Sequence, residues 1–133
     1  MLKEHITQLE KELELPYPLG QEGGDYYALL LENTKIIIEK VLQGFQLSAN
    51  LGEVGEELQE SFFTTMLRGN LFAQATDGSF LGLDETGKNA VLQFFHPEKA
   101  SYREFKEALE DFMNCVDFWN EQIEEHKKNP QQV

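Results

Sequence analysis

Apolar residues recur along this chain in two rhythms, and the rhythms lay out its elements. Leu2, Ile6, Leu9 and Leu13 are spaced four, three and four apart, one stripe of a first helix whose remaining surface is filled by Lys and Glu. Leu15-Pro16-Tyr17-Pro18 stops that helix, because the residue before a proline is pushed out of the α region. Residues 20–24 then read as a loop. Three strands are expected next: residues 25–32 (DYYALLLE), residues 35–42 (KIIIEKVL), and the alternating run Phe45, Leu47, Ala49 and Leu51. Asn33-Thr34 and Gln43-Gly44 read as the turns between them, so an antiparallel meander is the economical pairing.

After a loop over residues 52–55 the helical rhythm returns, over residues 56–75. This second helix carries two apolar stripes, Leu58, Phe62 and Met66 on one and Phe63, Leu67 and Leu71 on the other. A helix apolar over so wide an arc is covered on more than one side. The sheet supplies one cover. A second copy of the chain, or an ordinary internal contact, supplies the other. Gly69 costs that helix about 1 kcal/mol relative to Ala, which points to a close backbone approach there. Residues 80–83 and 90–95 (AVLQFF) read as a hairpin around Glu85-Thr86-Gly87-Lys88, closed by His96-Pro97-Glu98. The last helix has the cleanest pattern. Ser101 and Glu104 form a capping box, and Tyr102, Phe105, Leu109, Phe112, Val116, Trp119 and Ile123 then recur at three-four spacing. From His126 onward the chain is polar and expected to fray. The order α-βββ-α-ββ-α predicts an α+β fold, three helices on an antiparallel twisted sheet. The length predicts a single domain over residues 1–128, with 129–133 as a flexible tail.

Charge narrows the range of partners. Asp and Glu number 24 against 11 Lys and Arg, a formal net charge of −13. A surface of that sign repels nucleic-acid phosphates and anionic lipid headgroups, and it keeps a sticky protein soluble. It also attracts basic or amphipathic segments at a distance. One cysteine, Cys115, leaves no intramolecular disulfide and suits a reducing compartment. No apolar run is long enough to span a bilayer, and the first fifteen residues form a charged amphipathic repeat, so a cytosolic chain is expected.

Catalytic chemistry finds no footing. His5, His96 and His126 fall on the first helix, a loop and the tail, without metal-ligand spacing, and read as surface histidines. Cys115 sits on the apolar last helix and reads as a small buried hydrophobe. Asp84-Glu85 is turn chemistry, and the Glu pairs at 56–57 and 124–125 are solvated faces. An enzyme is not expected, nor any cofactor or metal.

The run LRGNLFAQATDGSFLGLDETG, residues 67–87, nonetheless has a recognisable signature. It resembles the class I type III secretion chaperones, the Tir-chaperone (CesT-like) family, whose members show a segment of the type LL-x-x-N-L-F-x-Q-x-x-G-x-x-L-G-L-D-E. That pattern lands here on Leu67, Asn70, Leu71, Phe72, Gln74, Gly78, Leu81, Gly82, Leu83, Asp84 and Glu85. The two ends of the chain look like the family's end motifs, with Glu14 where Gly is usual and Ala100 in place of Leu.

The resemblance implies an energy-free, homodimeric chaperone of the bacterial cytoplasm, serving virulence. It would bind the N-terminal chaperone-binding segment of a secreted effector in extended form, keeping it soluble and secretion-competent. It implies a dimer interface on the second helix and the following strand, here Leu58, Phe62, Met66, Gly69, Asn70, Phe72 and Phe80. Client contacts would use an exposed sheet edge and apolar surface. The candidates are Leu2, Ile6, Leu9 and Leu13 of the first helix and Tyr26, Ala28 and Leu30 of the first strand; parity leaves Tyr27, Leu29 and Leu31 as the alternative outward set. A heterodimer with a related chaperone fits as well. So does a different class of function, a regulatory or structural adaptor of the same fold that binds a folded partner.

Overall fold

All five expected strands form, and a sixth, two residues long, joins them at one edge. The computed structural model describes residues 2–14, 19–21, 26–31, 34–54, 68 and 79–128. In chain order the elements are α1 (Leu2–Leu13), β1 (Gly20–Gln21), β2 (Tyr26–Leu31), β3 (Thr34–Val41), β4 (Gly44–Glu53), β5 (Ser79–Leu83), β6 (Asn89–His96) and α2 (Tyr102–Lys128). The fold is α+β, with every strand pair antiparallel in one sheet of order β1-β2-β3-β4-β6-β5. Two helices lie among the described residues. The central helix expected over residues 56–75 falls outside them except for Arg68, which is helical and exposed.

The sheet order makes a demand on that central stretch. β4 and β5 both run antiparallel to β6, so they run parallel to each other with β6 between them. A chain leaving β4 must therefore travel back along the sheet before it can start β5. Such a crossover takes a dozen or more residues.

Three expectations shift. Residues 20–24 were expected to be loop, yet Gly20 and Gln21 pair with Ala28 and Tyr27. The cause lies one residue earlier. Leu19 is buried in the core and its N–H donates to Glu10 Oε2 at 3.3 Å, which delivers the chain alongside β2. Thr34 opens β3 opposite Leu31 rather than closing a turn. Likewise the β3–β4 turn is Leu42-Gln43, not Gln43-Gly44, and Gly44 begins β4. Glycine is needed there because a Cβ at residue 44 would overlap the His96 carbonyl and lie 2.7 Å from the Glu98 carbonyl oxygen. Both are backbone atoms with little room to retreat.

The inner face of the sheet and the two helices share one core. Leu2, Ile6 and Leu9 of α1, Ile36 and Ile38 of β3, Phe45, Leu47 and Ala49 of β4, and the α2 stripe from Phe105 to Ile123 are all buried in it. The capping box forms as expected: Glu104 N–H donates to Ser101 Oγ and Ser101 N–H to Glu104 Oε1, each at 3.1 Å. The helix it starts runs to Lys128, past the point where fraying was expected.

Two histidines prove structural rather than loose on the surface. His5 stacks on Phe105 at 5.6 Å and His96 on Phe45 at 5.3 Å, while Phe45 and Phe105 meet edge-on at 5.1 Å. The same two rings hold the β6–α2 connection: His5 Nε2–H donates to the Ala100 carbonyl at 2.8 Å, and His96 Nδ1–H to the Glu98 carbonyl at 3.0 Å. A carbonyl can only accept, which fixes the protonated nitrogen of each ring.

Asp84 closes the β5–β6 hairpin. Its Oδ1 accepts from Thr86 Oγ1 at 2.6 Å and from Thr86 N–H at 3.2 Å, and its Oδ2 from Asn89 Nδ2 at 2.7 Å. These donors, the Thr86 hydroxyl foremost, hold its carboxyl at about 2 instead of the ordinary 3.8.

Two predictions follow from these contacts. Gly44→Ala should lower stability by about 1–3 kcal/mol in urea unfolding, the range for overpacking a closed site. Asp84 is more acidic folded than unfolded, so its contribution is present above about pH 4 and drains as pH falls toward the folded value. The stability gap between wild type and Asp84→Ala should therefore narrow across that acid window.

Candidate functional site

Two patches of apolar surface stand at opposite rims of the outer sheet face, with a polar strip between them. The first lies on β2. Tyr27 and Leu29 point into the core at 4% and 5% exposure, whereas Leu30 is 59% exposed and Tyr26 and Ala28 are half-buried. The sequence left this parity open; the structure turns Tyr26, Ala28 and Leu30 outward. Ala28 pairs with Ile37 of β3, which is half-buried on the same face. Among the described residues, β1 pairs with Tyr27 and Ala28 of β2.

Leu2, Ile6 and Leu9 have to be taken off the expected client surface. They are 2–5% exposed and belong to the core. A four-three-four stripe attaches a helix to its own sheet in the same way that it would grip a foreign chain, so spacing alone did not separate the two. Leu13, in the last turn of α1, remains 47% exposed. The helix is fastened at that end by Glu12, whose Oε2 accepts from Lys106 Nζ at 2.7 Å and from Tyr102 OH at 2.9 Å. Lys106, then Tyr102, lowers the Glu12 pKa below its ordinary value.

The second patch is on β5 and β6. Phe80, the one expected dimer residue among those described, is 44% exposed on a strand at the sheet's edge. It pairs with Gln93, and Phe95, 51% exposed, is two residues further along the same face of β6. That diagonal spacing is within reach of two aromatic rings. The sequence reading missed Phe95 because Phe94 and Phe95 are adjacent and either could have faced inward. Counting from the Glu85–Lys88 turn would have found it: Leu83 opposes Ala90, and Ala90, Leu92 and Phe94 then share the core side. The other expected interface residues, Leu58, Phe62, Met66, Gly69, Asn70 and Phe72, lie outside the described residues.

Between the patches, β4 presents Gln46, Ser48 and Asn50. One continuous row across the sheet reads Ala28, Ile37, Ser48, Gln93, Phe80, apolar at both ends and polar in the middle. Nothing in this arrangement gathers acid-base or metal-binding groups. Among the described residues no three His, Cys, Asp or Glu side chains are placed to hold a metal ion, and no described helix is long and apolar enough to cross a membrane. What the face offers a ligand is apolar contact at the two rims.

A model of the Tir chaperone protein (CesT) family matches residues 4–120. The chain belongs to that family. A curated protein of Chlamydia pneumoniae, CPj0713/CpB0740, is 35% identical over 74 residues, 55% of this chain, and the chain spans 56% of that relative's length. Among solved structures, the CesT-family chain is similar to one in the ExsC–ExsE complex, with a TM-score of 0.70 and 19% identity over 92% of both chains. It is also similar to one in the HopA1–SchA chaperone–effector complex, TM-score 0.69, 19% identity, 90% of this chain and 92% of that one. A third is a chain in the structure of the Yersinia pestis type III secretion chaperone SycH in complex with a YscM2 fragment, TM-score 0.65, 13% identity, 89% and 98% covered. At these identities the likeness is one of fold.

The division into core and rim is open to a direct test. Ile6→Ala should cost about 2–5 kcal/mol, as for a buried aliphatic side chain, while Leu30→Ala should fall within about 0.5 kcal/mol of wild type. Equilibrium unfolding in urea reads both.

Proposed function

We propose that this protein is a type III secretion chaperone of the bacterial cytoplasm that binds the N-terminal segment of a secreted effector in extended form. Membership of the Tir chaperone family carries this reading, and a chain of the HopA1–SchA chaperone–effector complex has a similar fold. The outer face of β2 supports it physically. An unfolded segment laid along the β2 rim would add main-chain hydrogen bonds and set apolar side chains against Tyr26, Ala28 and Leu30. The net charge of −13 offsets the aggregation hazard that such a surface brings.

In the same reading the protein acts as a homodimer, joined through the helix expected over residues 56–75 and through Phe80. An aromatic that is 44% exposed on an edge strand suits burial against a second copy. No cofactor or energy source enters the cycle; binding and release rest on surface complementarity alone.

Co-expression with effectors of the same secretion system should capture one N-terminal segment in a stable complex, and Leu30→Asp should abolish the capture without unfolding the protein. Protease protection of a short segment supports the chaperone; protection of a whole globular domain would instead identify an adaptor for a folded partner. Met66→Asp should split the dimer, because a lone charge buried in the contact costs several kcal/mol. Light scattering at roughly micromolar concentration decides that point, since a variant that stays dimeric there removes the helix from the interface.

A further inference from the structure

The outward face of α2 has no role in either surface described above, and its pattern is unusual for a solvated helix. Glu107, Asp111, Asn114, Phe118, Glu121 and Glu125 recur at spacings of four, three, four, three and four, and all six are exposed. They form one straight stripe opposite the buried one. Phe118 stands in the middle of it, 50% exposed. Its ring meets that of Trp119 in the core stripe edge-on, at 5.3 Å and 81°. A polar residue at that position would make as good a helix and leave less apolar surface in water.

The charges around the ring are of one sign. The helix carries no Lys or Arg between Lys106 and Lys127. Ion pairs on this helix include Arg103 with Glu107 at 3.1 Å, Lys106 with Glu12 of α1 at 2.7 Å and Lys127 with Glu124 at 3.8 Å. The middle is thus an exposed aromatic flanked along its own helix by carboxylates. Anionic lipid and nucleic acid are repelled by such a surface, and a second copy of the same stripe would set acid against acid.

We infer that the outward face of α2 is a docking surface for a basic amphipathic protein segment, one that sets an apolar side chain on Phe118 and Lys or Arg against Glu121 and Glu125. Charge complementarity selects the partner and the ring anchors it. This surface is on the helix layer, across the sheet from Tyr26, Ala28 and Leu30, so it goes beyond the effector-binding reading and stands or falls separately from it.

A fluorescein-labelled amphipathic Leu/Lys helical peptide serves as the probe, with fluorescence anisotropy as the readout. Wild type should bind it, more weakly as salt rises. Phe118→Ala should weaken binding about tenfold, the size of a modest anchor residue. The pair Glu121→Lys and Glu125→Lys should weaken it at least as much. Glu53→Lys with Glu98→Lys makes the same change of net charge at exposed positions elsewhere, and should change affinity by less than about twofold. Oligolysine, which has no apolar side chain, should not distinguish Phe118→Ala from wild type. The inference is overturned if Phe118→Ala binds the Leu/Lys peptide as wild type does. It is overturned equally if the Glu53 and Glu98 variant loses as much as the α2 variant, since the attraction would then belong to net charge and not to this face. Effector capture by the same variants is scored independently.

Discussion

The contact on which the rest of the structure depends is the seating of α2 on the inner face of the sheet. Phe105, Phe112 and Val116 are 0–1% exposed, and each opposes strands whose own inward residues, Ile36, Ile38 and Leu47, are fully buried. Burying one large apolar side chain is worth about 1.5–3 kcal/mol before entropy is subtracted, so this stripe is a major source of the domain's stability. It also fixes the strand parities: once Ile36, Ile38, Leu47 and Leu92 face α2 and its neighbours, every second residue between them must face away. The outer face, with its two apolar rims, is the reverse side of that one packing decision.

The hydrogen-bonded details hold the ends of this assembly in place. His5 and His96 each donate to a carbonyl of the connection that leads into α2, and their rings continue the aromatic contacts of Phe45 and Phe105. Glu12 draws Lys106 and Tyr102 against the end of α1. These groups are partly exposed and individually weak. Their value is geometric: they tie α1 to α2 and to the connection that leads into it.

Much of this was legible in the sequence, and the parts that were not share a cause. The α2 stripe and its capping box were plain because local spacing and local hydrogen bonds specify them, and the Asp84 hairpin was plain for the same reason. The parity of β2 was not. Tyr26 and Tyr27 are adjacent, as are Leu30 and Leu31, so the two alternate sets differ only by Ala28 against Leu29, a weak signal for parity. The same ambiguity hid Phe95 beside Phe94. The α1 stripe was read with the right residues and the wrong destination, because a core and a client are both apolar. Gly44 was taken for a turn residue when the reason for it is the backbone of His96 and Glu98, distant in the chain and invisible to any local pattern.

The polar middle of the outer face has a thermodynamic consequence. β3, β4 and β6 stand between β2 and β5, so neighbouring strands about 4.8 Å apart separate the two rims by roughly 19 Å. At that distance, with Ser48 and Gln93 rather than a continuous apolar strip between them, ligands on the two rims share no side chain. Their binding free energies should simply add, without cooperativity or competition. Substitutions that alter affinity at one rim then leave the other as it was, and the two surfaces are free to diverge in evolution at their own pace.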